Sequence, residues 1–221
     1  IHSLRTLGYT GKIIAGGVHA TINPDEVIGW GANLVITGEC EGNITRLLER
    51  DARGIQAGEA MPIEYIPGPY WLRHTPDIRT YTGNYAFLKP NPGISMWSRG
   101  CPYSCIYCSN PIWQRQQTRY RPPEGVYQDM RDLADHGIQS VYVYDDELVG
   151  TGLPDGWMSE IADRIQPLKL RWITQGRCSE KHITAELLGD MKRAGCDVIF
   201  WGVESFSPAV LNAVHKHTRP D

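Results

Sequence analysis

Residues 94–108 read Ile-Ser-Met-Trp-Ser-Arg-Gly-Cys-Pro-Tyr-Ser-Cys-Ile-Tyr-Cys. The stretch opens as a short strand over 94–98 and breaks at Gly100. Three cysteines follow, Cys101, Cys105 and Cys108, in Cys-x3-Cys-x2-Cys spacing. Thiolates this close can each hold one iron of a cubic four-iron cluster, which leaves the fourth iron open to coordinate a substrate. Structural zinc would need a fourth ligand from His136, Cys178 or another distant group. Half of the 6 cysteines crowd this loop, a pattern of ligands in a reducing compartment rather than of a disulfide framework. The other three, Cys40, Cys178 and Cys196, are expected to be small buried hydrophobes.

Downstream of the loop, strands are expected at 141–144, 170–174 and 198–201. Between them, Val126, Met130 and Leu133 mark one helix face, and Met158, Ile161 and Ile165 a second. Leu187, Leu188, Met191 and Ala194 mark a third, and a fourth helix starts at Ser207-Pro208. Repeated βα units build either a doubly wound sheet or a barrel, and both place their chemistry at the carboxyl ends of the strands. Those ends are polar here: Asp145-Asp146-Glu147, Gln175-Gly176-Arg177 and Gly202-Val203-Glu204-Ser205.

Upstream, Lys12 to Ala15 is a short strand stopped by Gly16-Gly17. Asn23 is expected to cap a helix that has Pro24 at its first position and Asp25 and Glu26 in its first turn. Leu34 to Thr37 is a second strand. Asn43 is expected to cap a helix with Ile44, Leu47 and Leu48 on one face. From residue 52 the composition changes to prolines and glycines without helical period. The chain therefore divides into 1–55, a linker carrying a short hairpin over 56–93, and 94–221.

With 221 residues, 41% hydrophobic and 21% charged, the chain is a folded protein rather than a disordered segment. Its net charge of −3 gives no general electrostatic reason to bind nucleic acid. The basic and aromatic stretch of Trp113, Arg115, Arg119, Tyr120 and Arg121 reads as a solvated segment. Apolar runs stay far below the roughly 20 residues of a membrane helix. The chain starts at Ile1 and lacks a signal-peptide pattern, so it is read as a cytoplasmic piece of a longer protein.

Arg99-Gly100-Cys101-Pro102-Tyr103-x-Cys105-x-Tyr107-Cys108 resembles the signature loop of the radical S-adenosylmethionine (SAM) enzymes. In that family the open iron binds the amino and carboxylate groups of SAM. An electron from the cluster then splits the sulfonium, giving methionine and a deoxyadenosyl radical. The resemblance implies that Cys101, Cys105 and Cys108 hold a 4Fe-4S cluster and that Tyr107 lies against the adenine. It makes Asp145, Asp146 and Glu147 partners for the SAM ammonium or for substrate, and Arg177 a partner for the carboxylate. Glu204 and Ser205 become ribose and methionine contacts. The Gly-Gly-Glu form many members show after the second strand is absent here, and Phe206 stands where a glycine often follows Glu-Ser.

Residues 11–50 resemble the second half of the cobalamin-binding Rossmann-like domain that precedes the barrel in one radical SAM subclass. Gly16 and Gly17 are then expected near the cobalamin nucleotide tail, with Gly38 and Glu39 at the next strand end. His19 is either a cofactor contact or an ordinary turn histidine. The expected fold class is α/β: a partial (βα) TIM-like radical SAM barrel preceded by part of a Rossmann-like cobalamin-binding domain.

The implied function is a cobalamin-dependent radical methyltransferase, with a radical cyclase, ring-rearranging enzyme or methylthiotransferase as alternatives. A non-catalytic iron–sulfur or zinc protein is the rival from another class. Expected cofactors are a 4Fe-4S cluster, SAM and cobalamin. Expected partners are a flavodoxin- or ferredoxin-type electron donor and a small-molecule or peptide substrate, without membrane or nucleic acid.

Overall fold

The computed structural model describes residues 1–66, 68, 87–88, 92–113, 117–150, 152–178, 182–216 and 218. Most of the linker, with its expected hairpin, and Arg115 lie outside these residues. The chain divides into two compact units, residues 1–66 with 107–115, and residues 67–106 with 116–221.

The first unit contains α1 (His2–Thr6), β1 (Ile14–Ala15), α2 (Val18–Ile22), α3 (Pro24–Gly29), β2 (Leu34–Thr37), α4 (Ile44–Glu49), β3 (Gly54–Ala57) and α5 (Asn110–Trp113). Its three strands are parallel in the order β1-β2-β3, with Leu34 opposite both Ile14 and Gly54. A central parallel strand is covered on both faces, which is why β2 is a continuous apolar run. Val35 packs with Ile13, Ala20, Val27 and Ala32, while Leu34 and Ile36 pack with Leu47 on the other face. The linker expectation is corrected at its start, where residues 54–57 form the third strand.

Both expected asparagine caps are also corrected. Asn23 and Asn43 occupy N-cap positions, but neither side chain bonds the helix it precedes. Asn23 is simultaneously the C-cap of α2, donating its N–H to the His19 carbonyl. Asn43 is buried and spends its amide across the unit, donating to the Ala57 carbonyl at 3.0 Å and accepting the Glu59 N–H at 3.1 Å.

The second unit contains β4 (Gly93–Ser95), β5 (Ser98–Arg99), β6 (Arg119–Tyr120), α6 (Pro123–Asp135), β7 (Ser140–Val143), α7 (Trp157–Ile165), β8 (Arg171–Arg177), α8 (Ala185–Arg193), β9 (Cys196–Gly202) and α9 (Pro208–Ala213). β4, β7, β8 and β9 form one parallel sheet whose neighbours follow chain order. That order is the wall of a βα barrel; a doubly wound sheet reverses about an early strand.

The strand expected over 94–98 is split, because Trp97 turns into the core with no exposed surface. It packs on Trp172 at 4.7 Å and edge-on to Trp157 at 6.4 Å. Ser98 and Arg99 leave the sheet and pair antiparallel with Tyr120 and Arg119. The three expected helix faces enter one core, but Leu188, like Leu48 in the first unit, is exposed. Adjacent residues lie about 100° apart around a helix, so only one leucine of each pair faces inward. Among the described residues no helix is long and apolar enough to cross a membrane.

Candidate functional site

The cysteine loop is anchored at its start by Gly100, whose φ of +97° favours glycine and where a Cβ would lie 2.1 Å from the Gln117 carbonyl oxygen. The Gly100 N–H donates to Asp146 Oδ2 at 3.4 Å. Cys101 and Cys105 fold with the second unit, whereas Tyr107 and Cys108 fold with the first. Cys105 is buried, Cys101 and Cys108 are half-buried, and Tyr107 is exposed. Within the second unit the Cys105 sulfur accepts a hydrogen bond from Arg177 Nη1 at 3.6 Å. Within the first, the Cys108 sulfur accepts the Asn110 N–H at 3.4 Å, at the start of α5. Among the described residues no three His, Cys, Asp or Glu are gathered to hold a metal ion.

The ends of β7, β8 and β9 carry buried charge. Asp145 is buried under the loop, where it accepts the Trp97 N–H at 2.8 Å and the Ser98 hydroxyl at 2.7 Å. Burial pushes its carboxyl up to about 7, against the pull of those hydrogen bonds. Glu147 accepts the backbone N–H of Arg177 at 3.1 Å. Burial raises it to about 7 as well, opposed by that bond and by the charges of Arg177 and Lys216. The Arg177 guanidinium carbon sits over the Tyr103 ring, 3.7 Å from its centroid. Its Nη2 is buried and has no hydrogen-bond partner among the described residues. Glu204, in the left-handed region at φ +63°, accepts from the buried Lys216 Nζ at 3.2 Å. The Ser205 hydroxyl accepts the Ser207 N–H at 3.1 Å.

Sequence reasoning missed Tyr103 and Lys216. Tyr103 carried one signal, an aromatic between two cysteines. Lys216 carried none, since a lysine past a helix end reads as a surface residue. Two expectations are corrected. Cys178 is exposed, because it follows Arg177 where β8 leaves the core. Arg121 is buried rather than solvated: it pairs with the buried Asp129 and donates to the Met96 carbonyl at 3.2 Å, tying α6 to the segment that carries Trp97.

In the first unit, Gly17 and Gly38 have φ of +88° and +76°, and a Cβ on either would meet nothing within 4 Å. Thr21 joins the two turns, its hydroxyl donating to the Gly17 carbonyl at 2.9 Å and accepting the Gly38 N–H at 2.8 Å. Gly16 is close-packed toward the Ile36 carbonyl, where a Cβ would lie 3.7 Å from the oxygen, and the Glu39 carbonyl abuts Gly58. His19 stacks on Trp30 with ring centroids 5.2 Å apart, and its Nε2 lies 3.0 Å from Glu26 Oε2.

Comparison with known proteins places this geometry in a lineage. An uncharacterized methyltransferase of Pyrococcus horikoshii is 28% identical over 131 residues, covering 58% of this chain and 28% of that protein. The bacteriochlorophyllide d C-12(1)-methyltransferase of Chlorobaculum tepidum is 26% identical over 220 residues, covering 93% of this chain and 45% of that protein. The chain thus spans less than half the length of either relative. Among solved structures, the cobalamin-dependent S-adenosylmethionine radical enzyme OxsB, with aqua-cobalamin and S-adenosylmethionine bound, shares the fold. Its TM-score is 0.69 at 19% identity, over 99% of this chain and 35% of that one. Residues 96–221, which hold the cysteine loop and the strands β7, β8 and β9, match the Radical SAM superfamily, and the chain belongs to that superfamily.

Proposed function

We propose that this chain is part of a cobalamin-dependent radical SAM methyltransferase in which Cys101, Cys105 and Cys108 hold a 4Fe-4S cluster. The observation that carries the reading is the Cys-x3-Cys-x2-Cys spacing together with a buried guanidinium that donates to Cys105 and whose Nη2 has no hydrogen-bond partner among the described residues. The donor set fits the group: three thiols suit three irons, and the idle N–H fits an anionic ligand. Bound there, the cluster supplies the electron that cleaves the sulfonium of SAM.

The chain's own residues bind and orient. Arg177 offers Nη2 to the SAM carboxylate. Asp146 and Glu147 face the ammonium or the substrate, Tyr107 the adenine, and Glu204 and Ser205 the ribose and methionine portions. Asp145 is assigned to holding the loop rather than to contacting SAM, since both of its oxygens are engaged beneath it.

In the first unit, Gly16, Gly17, Gly38 and Glu39 form the face offered to cobalamin, and the open space over Gly17 and Gly38 fits a bulky ligand. His19 sits beside that face, oriented by Trp30 and Glu26. Two comparisons support methyl transfer and cobalamin: the methyltransferase match runs through 93% of the chain, and OxsB was solved with both ligands. A flavodoxin- or ferredoxin-type donor and a cytoplasmic setting complete the reading.

The test is anaerobic reconstitution with iron and sulfide, followed by electron paramagnetic resonance of the reduced protein with and without SAM. A four-iron signal that shifts on adding SAM is expected, and Cys105→Ala is expected to abolish it. Zinc uptake without iron, or a four-iron signal indifferent to SAM, overturns the reading.

A further inference from the structure

Arg177 is only 5% exposed, and among the described residues no carboxylate forms an ion pair with its guanidinium. A buried charge left in that state costs several kcal/mol unless the surroundings compensate. Besides the Coulombic pull of Glu147, the groups in direct contact with the guanidinium are the ring of Tyr103, under its carbon, and the sulfur of Cys105, which accepts from Nη1. The Tyr103 platform holds the guanidinium, the end of β8 fixes the stem, and together they aim one N–H at one sulfur of the loop. Cys108 is served differently, by the neutral backbone N–H of Asn110.

Resting on the cluster reading above, we infer that Arg177 is a positioning residue that sets the reduction potential of the site through a charged N–H···S hydrogen bond to Cys105. Hydrogen bonds to ligand sulfur and local net charge are the protein's levers on such potentials. One-electron reduction by an external low-potential reductant adds one negative charge to the sulfur-ligated assembly. The guanidinium, permanently protonated, stabilises that charge without any proton moving. Arg177 therefore favours the reduced form before SAM arrives.

The experiment is a redox titration with dithionite and mediators, followed by electron paramagnetic resonance without SAM, so that any carboxylate contact of Nη2 plays no part. Samples are the reconstituted chain, Arg177→Gln and Arg177→Lys, matched for iron content. Arg177→Gln is expected to lower the reduced-to-oxidised ratio at the parent midpoint about tenfold, or about 59 mV for a one-electron couple. Arg177→Lys keeps the charge but cannot both cover the Tyr103 ring and reach the sulfur, so its midpoint falls between the two. Parent-like midpoints in both variants overturn the inference and leave the cluster reading standing. A parent protein that assembles no cluster overturns that reading and this inference together. Should Arg177→Gln fail to hold iron, Arg177→Lys and Tyr103→Leu decide: lowered midpoints support the inference, and parent values overturn it.

Discussion

The two units use the same strand-helix grammar and furnish their strand ends in opposite ways. At the ends of β1 and β2 in the first unit stand glycines joined by one hydroxyl, and the buried polar side chain described there is the neutral Asn43. In the second unit the described buried ionisable side chains are Arg121, Asp129, Asp145, Glu147, Arg177 and Lys216, four of them at or near the ends of β7, β8 and β9. Backbone turns with open faces accommodate a large ligand by shape. Buried charge in a low-dielectric setting is costly and is kept where a small charged ligand or an electron has to be managed. Under the proposed function, one strand-helix grammar supports a face that reads shape in the first unit and one that reads charge in the second.

Removing charge from the second unit should have the largest effect. Asp145→Ala leaves the Trp97 N–H and the Ser98 hydroxyl unsatisfied in the core, and a loss of about 3 kcal/mol is expected from urea unfolding. An unchanged midpoint would mean that the buried carboxyl does not hold the loop.

The next effect is a slope. Asp145 and Glu147 are held at about 7, above their ordinary 3.8 and 4.5. Between those limits the folded state keeps protons that the unfolded chain has released, so stability falls as pH rises from about 4 to about 7 and then levels. Asp145→Asn should flatten that fall by roughly 2 kcal/mol across the window, measured as urea midpoints at several pH values. An equally steep slope in the variant would remove Asp145 from the explanation.

The smallest effect belongs to the first unit, where Thr21→Val breaks two hydrogen bonds between neutral partners. About 1 kcal/mol of stability should be lost, together with weaker cobalamin uptake in an absorbance titration. A larger loss than that of Asp145→Ala would reverse the comparison between the units.

What the sequence made legible follows physical pattern. Leu34-Val35-Ile36 announced a strand because both of its faces are buried, and the three amphipathic helices announced themselves by period. The cysteine spacing and the polar strand ends lie within the stretch that matches the superfamily. Direction was not legible. Asp145 and Asp146 are neighbours in sequence, yet Asp145 is sealed beneath the loop by Trp97 and Ser98, which lie almost fifty residues away in the chain. The β5–β6 pairing rests on two residues per strand, too short to carry a period. Asn43 looked like a cap because its residue type favours caps, and the tertiary partners Ala57 and Glu59 outbid the helix for its amide.

The two-residue ribbon of Ser98–Arg99 against Arg119–Tyr120 has one further consequence. By clasping both ends of the cysteine segment it makes loop closure local, so a change in the length between the clasped ends alters the chain entropy of a loop that is already closed. That entropy grows logarithmically, at about 0.6 kcal/mol for each doubling of length. The segment is therefore a cassette held at both ends, and a change in its length carries little entropic cost of its own as long as the clasp is kept.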